Sequence, residues 1–347
     1  VGVEKVMEQF FVLFENVVII QAANPGLWGS FVNFLGYVLT VINNVTNNYG
    51  LSVILFTILM RFVLLPLDIK GKASTRKMSA LKPEMDKINE KYKNDPEKRN
   101  RKTAELYRKH GINPLGGCLP LLIQLPIFFA LFAALRQIAS VALGEFFMDL
   151  LNQYEPSIIP VLDQIKEVID KSAEIKGNFV DILPQLFVRN DLSIVEKMKE
   201  VAGTENIDIL INTISKISDQ DVYQFLQSSN YSSFRFLWIR NIWIADSPLV
   251  SVSGKSISIF SGIWNGVFIL PILAGITSYY QGKIANPSGS NEQTKGFTTI
   301  FPILSVWFTS MYTAAFGIYW ITSNIFQIVQ QIIYNNLNQP EKEGART

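Results

Sequence analysis

Apolar residues in this chain are gathered into long runs rather than spread at the spacing of a half-buried helix. Residues 49–67, 114–135, 256–280, 297–316 and 317–334 are apolar stretches, and Arg61 is the one charged residue in all five. At 1.5 Å per residue each is about long enough for a hydrocarbon core of ~30 Å. The pattern predicts five transmembrane helices in an all-α membrane protein. Ahead of them, Trp28, Phe31, Phe34, Leu35, Val38, Val41, Ile42 and Val45 recur at helical spacing, predicting a helix that lies in the membrane interface. A plain first span is the alternative. The first residues, with Glu4, Glu8 and Glu15 against Lys5, lack the basic start of a signal peptide and read as an amphipathic helix. Together 1–48 form an N-terminal extracytoplasmic or interfacial region.

The polar segments between the runs differ in charge. Residues 68–113 hold fourteen basic and seven acidic side chains, leaving +7, and "NDPEKRN" marks a turn between two helical halves. The positive-inside rule makes this an antiparallel helical hairpin in the cytoplasm. Residues 136–255 hold sixteen acids against eleven bases and belong outside. Stretches such as "SIIPVLDQIKEVIDKSAEIK" predict a small helical domain there, over 145–232. The connection 281–296 and the tail 335–347 then lie in the cytoplasm, with the N-terminus outside and "FG" at 316–317 as a tight outer turn.

Composition narrows the chemistry. Hydrophobic residues make up 48% of the 347 residues, and the net charge is +2. The single cysteine, Cys118, excludes an internal disulfide, and with His110 as the only histidine a transition-metal centre has no ligand set. No Asp or Glu lies in the five runs, and neither a phosphate loop nor a nucleophile elbow occurs. The reading is of a protein that is not an enzyme and uses no cofactor.

Arg61 stands out, with twelve residues of its run before it and six after. A charge near a span centre costs roughly 2.5–3.5 kcal/mol on insertion scales. It could snorkel, since six residues of helix are ~9 Å. The functional reading is a water-filled pocket with Arg61 as its fixed positive charge, lined by Thr57, Gln124, Thr277, Gln281, Tyr319, Ser323, Asn324 and Gln327. Those polar residues could equally serve only to bond helix to helix.

The motifs "NPLGGCLPLLIQLPIFFALF" (113–132), "FLWIRNIWIADSP" (236–248), "FILPILAGITSYYQ" (268–281) and "GIYWITSNIFQIVQQ" (317–331) are joined by "YGLSVILFTILMRFVLLPL" with its basic hairpin. In series they resemble the bacterial branch of the YidC/Oxa/Alb membrane protein insertases. The resemblance covers roughly 27–140 and 234–335. It implies a five-helix core in the bacterial cytoplasmic membrane, with a hydrophilic groove open to the cytoplasm and to lipid. New membrane proteins would be inserted there without nucleotide, metal or small-molecule substrate. Arg61 and Thr57 match the groove positions, and Tyr319 and Trp320 match an aromatic pair that meets substrate. Implied partners are nascent membrane proteins and the lipid bilayer, with the ribosome and the Sec translocon as further candidates. Residues 145–232 depart from the family pattern, which has a short loop there. A small-solute transporter or channel is the competing function, although no internal repeat of the transporter kind is visible.

Overall fold

The computed structural model describes residues 26–111, 119–175, 178–188, 192–228, 230–254, 263–285 and 292–337. The expected N-terminal amphipathic helix, Cys118 and the tail beyond 337 fall outside them. The described residues are helical, without strands, apart from two isolated bridges, Phe236 with Ile239 and Ser251 with Trp264. The helices are α1 (Leu27–Thr46), α2 (Tyr49–Ala80), α3 (Lys82–Lys91), α4 (Pro96–Lys109), α5 (Leu119–Tyr154), α6 (Ile159–Lys171), α7 (Phe179–Val188), α8 (Leu192–Ala202), α9 (Thr204–Lys216), α10 (Asp219–Ser228), α11 (Ile269–Ala285), α12 (Glu292–Met311) and α13 (Ala314–Leu337). Tyr49–Ala73 and Pro126–Tyr154 are long and apolar enough to cross a membrane.

Contacts divide the chain into two units. The first takes the described residues of Val1–Phe56, Ala130–Leu273 and Val306–Trp320; the second takes those of Thr57–Phe129, Ala274–Ser305 and Ile321–Thr347.

In the first unit, α5 continues to Tyr154, nineteen residues beyond the predicted span end at 135. Nothing in "RQIASVALGEFFMDLLNQY" breaks a helix, and its Ala139, Ala142, Leu143, Phe146, Phe147, Leu150 and Leu151 are buried at helical spacing. Phe147 stacks on Phe187 of α7 at 3.9 Å between centroids. Phe146 meets Phe225, Tyr231 and Phe234 at 5.3, 5.1 and 5.9 Å. Phe234 also meets Tyr49 at 5.9 Å and Trp243 at 6.2 Å. Helices α5, α7 and α10 thus share one aromatic core with the segment around 234–243. Gly144 makes the approach possible, since a Cβ there would sit 2.0 Å from the carbonyl oxygen of Val180.

Three other expectations shift. On α1, the buried residues are Val32, Leu35 and Leu39, while Phe34, Tyr37, Val41 and Val45 are exposed, so the helix has an inward and an outward apolar stripe. Within the third predicted run, the described residues 263–268 are not helical and α11 begins at Ile269; "NG" at 265–266 is a turn signal inside the apolar run. There the buried Asp246 carboxylate accepts the N–H groups of Phe268 (3.1 Å) and Leu270 (2.7 Å) and holds the helix start. The turn between α12 and α13 lies at Tyr312–Thr313, not 316–317. Thr313 accepts the Phe316 N–H on its carbonyl at 3.0 Å, and the N–H groups of Ala314 and Ala315 go to the Ile244 and Ile242 carbonyls. Gly317 is inside α13, where a Cβ would be only 3.3 Å from Leu270, so its smallness serves close packing.

In the second unit, α2 runs without a break through Pro66 to Ala80. The stretch 68–80, assigned from sequence to the hairpin, is thus the end of the first long helix. The hairpin itself is α3 and α4. Leu81, Leu106 and Tyr107 form its small core with Met85 and Ile88. The start of α3 meets the end of α4, so the two are antiparallel. Asp95 caps α4 by accepting the Lys98 N–H at 3.0 Å, with Pro96 in the first turn.

Candidate functional site

Several helices of the second unit reverse the usual placement of polar and apolar side chains. On α2, Thr57 is 0% and Arg61 5% exposed, while Leu59, Phe62 and Val63 stand open at 47%, 58% and 65%. On α12, Ser305 is buried and Ile300 and Ile303 are exposed. On α13, Ser323 and Asn324 are buried, while Ile325, Val329, Ile332 and Ile333 are exposed. In water this arrangement would expose apolar area at about 25 cal/mol per Å² while burying polar groups. It suits a surround of lipid, with the hydrogen-bonding groups turned to one another.

Those groups bond to one another in three neighbouring sets. Arg61 donates from Nε to Ser323 Oγ at 3.0 Å, and its Nη2 reaches the same oxygen. Its Nη1 lies 4.0 Å from Asp68 Oδ2. One residue on from Ser323, Asn324 donates to Thr277 Oγ1 (3.1 Å) and Ser278 Oγ (2.9 Å) on α11. Ser278 continues to Ser305 Oγ on α12 at 2.8 Å. Gln281 of α11 donates to Gln327 of α13 at 2.8 Å. Both amide atoms of Gln330 are buried without a hydrogen-bond partner among the described residues.

Of the residues expected to line a pocket, the second unit therefore brings Arg61, Thr277, Gln281, Ser323, Asn324 and Gln327 into bonded contact. Thr57 is buried one turn before Arg61 on the same helix face. Tyr319 and Trp320 belong to the first unit. There they pack on Phe316 at 6.3 and 5.6 Å, in a cluster that also includes Phe132 and Tyr312. The side chain of Gln124 is outside the described ones. Sequence reading missed Asp68 and Lys72 as members of this face, and Ser278 and Ser305 as links. The signal for Asp68 was its place seven residues, two turns, after Arg61, on a helix that continues through Pro66. Among the described residues no cluster of His, Cys, Asp and Glu could hold a metal ion.

The sequence model of the family described as 60Kd inner membrane protein matches residues 41–188 and 220–342. The chain belongs to this family, the YidC/Oxa/Alb insertases. A "Membrane protein insertase YidC" of Fusobacterium nucleatum is 46% identical over 131 residues, 38% of this chain and 64% of the relative. One of the same name from Clostridium tetani is 25% identical over 319 residues, 91% of this chain and 94% of the relative. The "Membrane protein insertase MisCA" of Bacillus subtilis is 37% identical over 166 residues, 46% of this chain and 64% of the relative. The chain thus spans less than two thirds of the length of the Fusobacterium and Bacillus relatives. The interval between the two matched segments, 189–219, is narrower than the 145–232 taken as extra from motifs alone; it holds α8 and α9. YidC/Oxa/Alb proteins are insertases and not a known class of enzyme.

Proposed function

We propose that this chain is a membrane protein insertase and chaperone of the bacterial cytoplasmic membrane. It inserts and helps fold hydrophobic segments of nascent membrane proteins. The observation that carries the proposal is the burial of Arg61, bonded to Ser323 of α13 next to the hydrogen-bonded side chains that join α11, α12 and α13, on helices whose outward faces are apolar. Five spans cross the membrane, with the N-terminus and the 136–255 region outside and the α3–α4 hairpin and C-terminus in the cytoplasm. Arg61, Thr57, Gln124, Thr277, Asn324 and Gln327 line a hydrated groove, and Tyr319 and Trp320 meet the inserting segment.

The mechanism is physical rather than chemical. A wet, positively charged site in the inner leaflet shortens the apolar path that the hydrophilic tail of a substrate must cross, and it attracts carboxylates. The apolar segment then leaves sideways into lipid, favoured by about 25 cal/mol for each Å² removed from water. No nucleotide, metal or other cofactor takes part. The basic segment 68–113, the end of α2 together with the hairpin, carries fourteen bases against seven acids and suits anionic headgroups, ribosomal RNA and acidic tails; the ribosome and the Sec translocon are its candidate partners.

Purified protein in sealed liposomes tests this. A single-span substrate synthesised in their presence should become protease-protected across the bilayer, while small polar solutes stay trapped. Solute release without insertion would replace the proposal with a transporter or channel.

A further inference from the structure

Asp68 stands between two cations on one face of α2. Arg61 is seven residues before it and Lys72 four residues after, spacings that place all three on the same side of a helix. The Asp68 carboxylate is 13% exposed and lies 4.0 Å from Arg61 Nη1. That separation exceeds the ~2.7–2.9 Å of a charge-assisted hydrogen bond. Its Oδ2 has no hydrogen-bond partner among the described residues, and neither does the buried Nζ of Lys72. Arg61, by contrast, is fixed by its bonds to Ser323. The arginine is held while its carboxylate partner is loosely placed, and a second cation waits one turn away.

We propose that Asp68 is the site's resident carboxylate, competing with carboxylates of the incoming chain for Arg61 and so setting how strongly acidic tails are preferred. The inference rests on the insertase reading. When an acidic residue reaches Arg61, Asp68 turns to Lys72, an i,i+4 neighbour on the helix, and neither buried charge is left alone. Arg61, Asp68 and Lys72 together carry one net positive charge, which a single incoming carboxylate neutralises. A second carboxylate finds no free cation. Asp68 thereby favours tails with one or few acids over strongly acidic ones, and it lets the tail leave the arginine again once the apolar segment has moved into lipid.

Two single-span substrates differing only in two tail residues, both Asp or both Asn, separate the possibilities. Insertion into proteoliposomes is measured for each, and the ratio of acidic to neutral is formed within each variant, which cancels differences in folding or yield. Asp68→Asn should raise the ratio about three- to tenfold, the range for removing a partly buried competitor of one charge. Lys72→Gln should lower it, because Asp68 then has only Arg61. An unchanged or lowered ratio in Asp68→Asn overturns the inference. If Asp68→Asn inserts neither substrate, Lys72→Gln decides: an unchanged or raised ratio overturns it. Wild-type protein that inserts neither substrate would overturn the insertase reading and the inference with it, whereas wild-type insertion with flat ratios overturns the inference alone.

Discussion

Replacing Asp246 with alanine removes the group that organises the start of α11 in the first unit. The carboxylate is fully buried and accepts from Phe268 N (3.1 Å), Leu270 N (2.7 Å) and Trp238 Nε1 (3.2 Å). Phe268 is held at φ +65°, a left-handed conformation unusual for a bulky residue, and the two backbone bonds flank that strain. Hydrogen bonds to a charged group contribute about 1.5–3 kcal/mol each, and each buried donor left without a partner costs about 1–3 kcal/mol. Against this, alanine recovers the desolvation that a buried carboxylate carries. The net loss should be about 3–5 kcal/mol, or roughly 10²–10⁴ in the population of the opened form. Asp246→Asn should lose about 2 kcal/mol, since one amide oxygen cannot serve both acceptor positions. Native-state proteolysis in detergent reads this population when reclosing is faster than cleavage. The expected order of cleavage rate is alanine, then asparagine, then wild type, at sites in the first unit. Alanine cleaved within threefold of the wild-type rate would refute the reasoning.

Gly144→Ala should destabilise the packing of α7 on α5 by about 1–3 kcal/mol through overpacking, because the new Cβ would lie 2.0 Å from a backbone oxygen; helix propensity alone favours alanine by about 1 kcal/mol, so a stabilised protein in a denaturant titration would show the contact to be wrong. Tyr231→Phe should cost about 1 kcal/mol by deleting its 2.8 Å bond to Asp149. Burial first, then that bond, holds the Tyr231 phenol above its ordinary value of 10.0. The folded protein thus favours the neutral form, and the stabilisation is whole below about pH 10 and declines above it. Thermal scans from pH 8 to 11 should show a smaller alkaline decline in Tyr231→Phe than in wild type, and equal declines would contradict the assignment.

The helices were legible where a local signal and a long apolar run coincide. "NDPEK" announced the hairpin turn, and the structure caps α4 with the same Asp95 and Pro96. Arg61 declared itself by its cost in lipid, and the partners at 277, 281, 323, 324 and 327 by being polar within apolar runs. Element ends were less legible, because hydropathy marks where lipid could be rather than where a helix stops. So α2 passes Asp68 and α5 passes Arg136 without a terminator, and both helices outlast their runs. The start of α11 depends on Asp246, more than twenty residues away, which no local pattern reveals. The Arg61–Asp68 pairing was hidden for the same reason: once the helix was ended at 67, the carboxylate fell on the wrong side of the boundary.

The positive charge at 61 is the centre of the proposed mechanism. Arg61→Lys and Arg61→Ala, reconstituted in equal amounts, should be compared for insertion of a single-span substrate with an acidic tail. Arg61→Lys keeps a cation near Asp68 and should keep most of the insertion. Arg61→Ala leaves the Asp68 carboxylate facing Lys72 alone and removes the charge that draws the tail inward, so it should lose most of it. Equal activity in both variants and the wild type, or equal loss in both, would contradict the claim that charge at this position drives insertion.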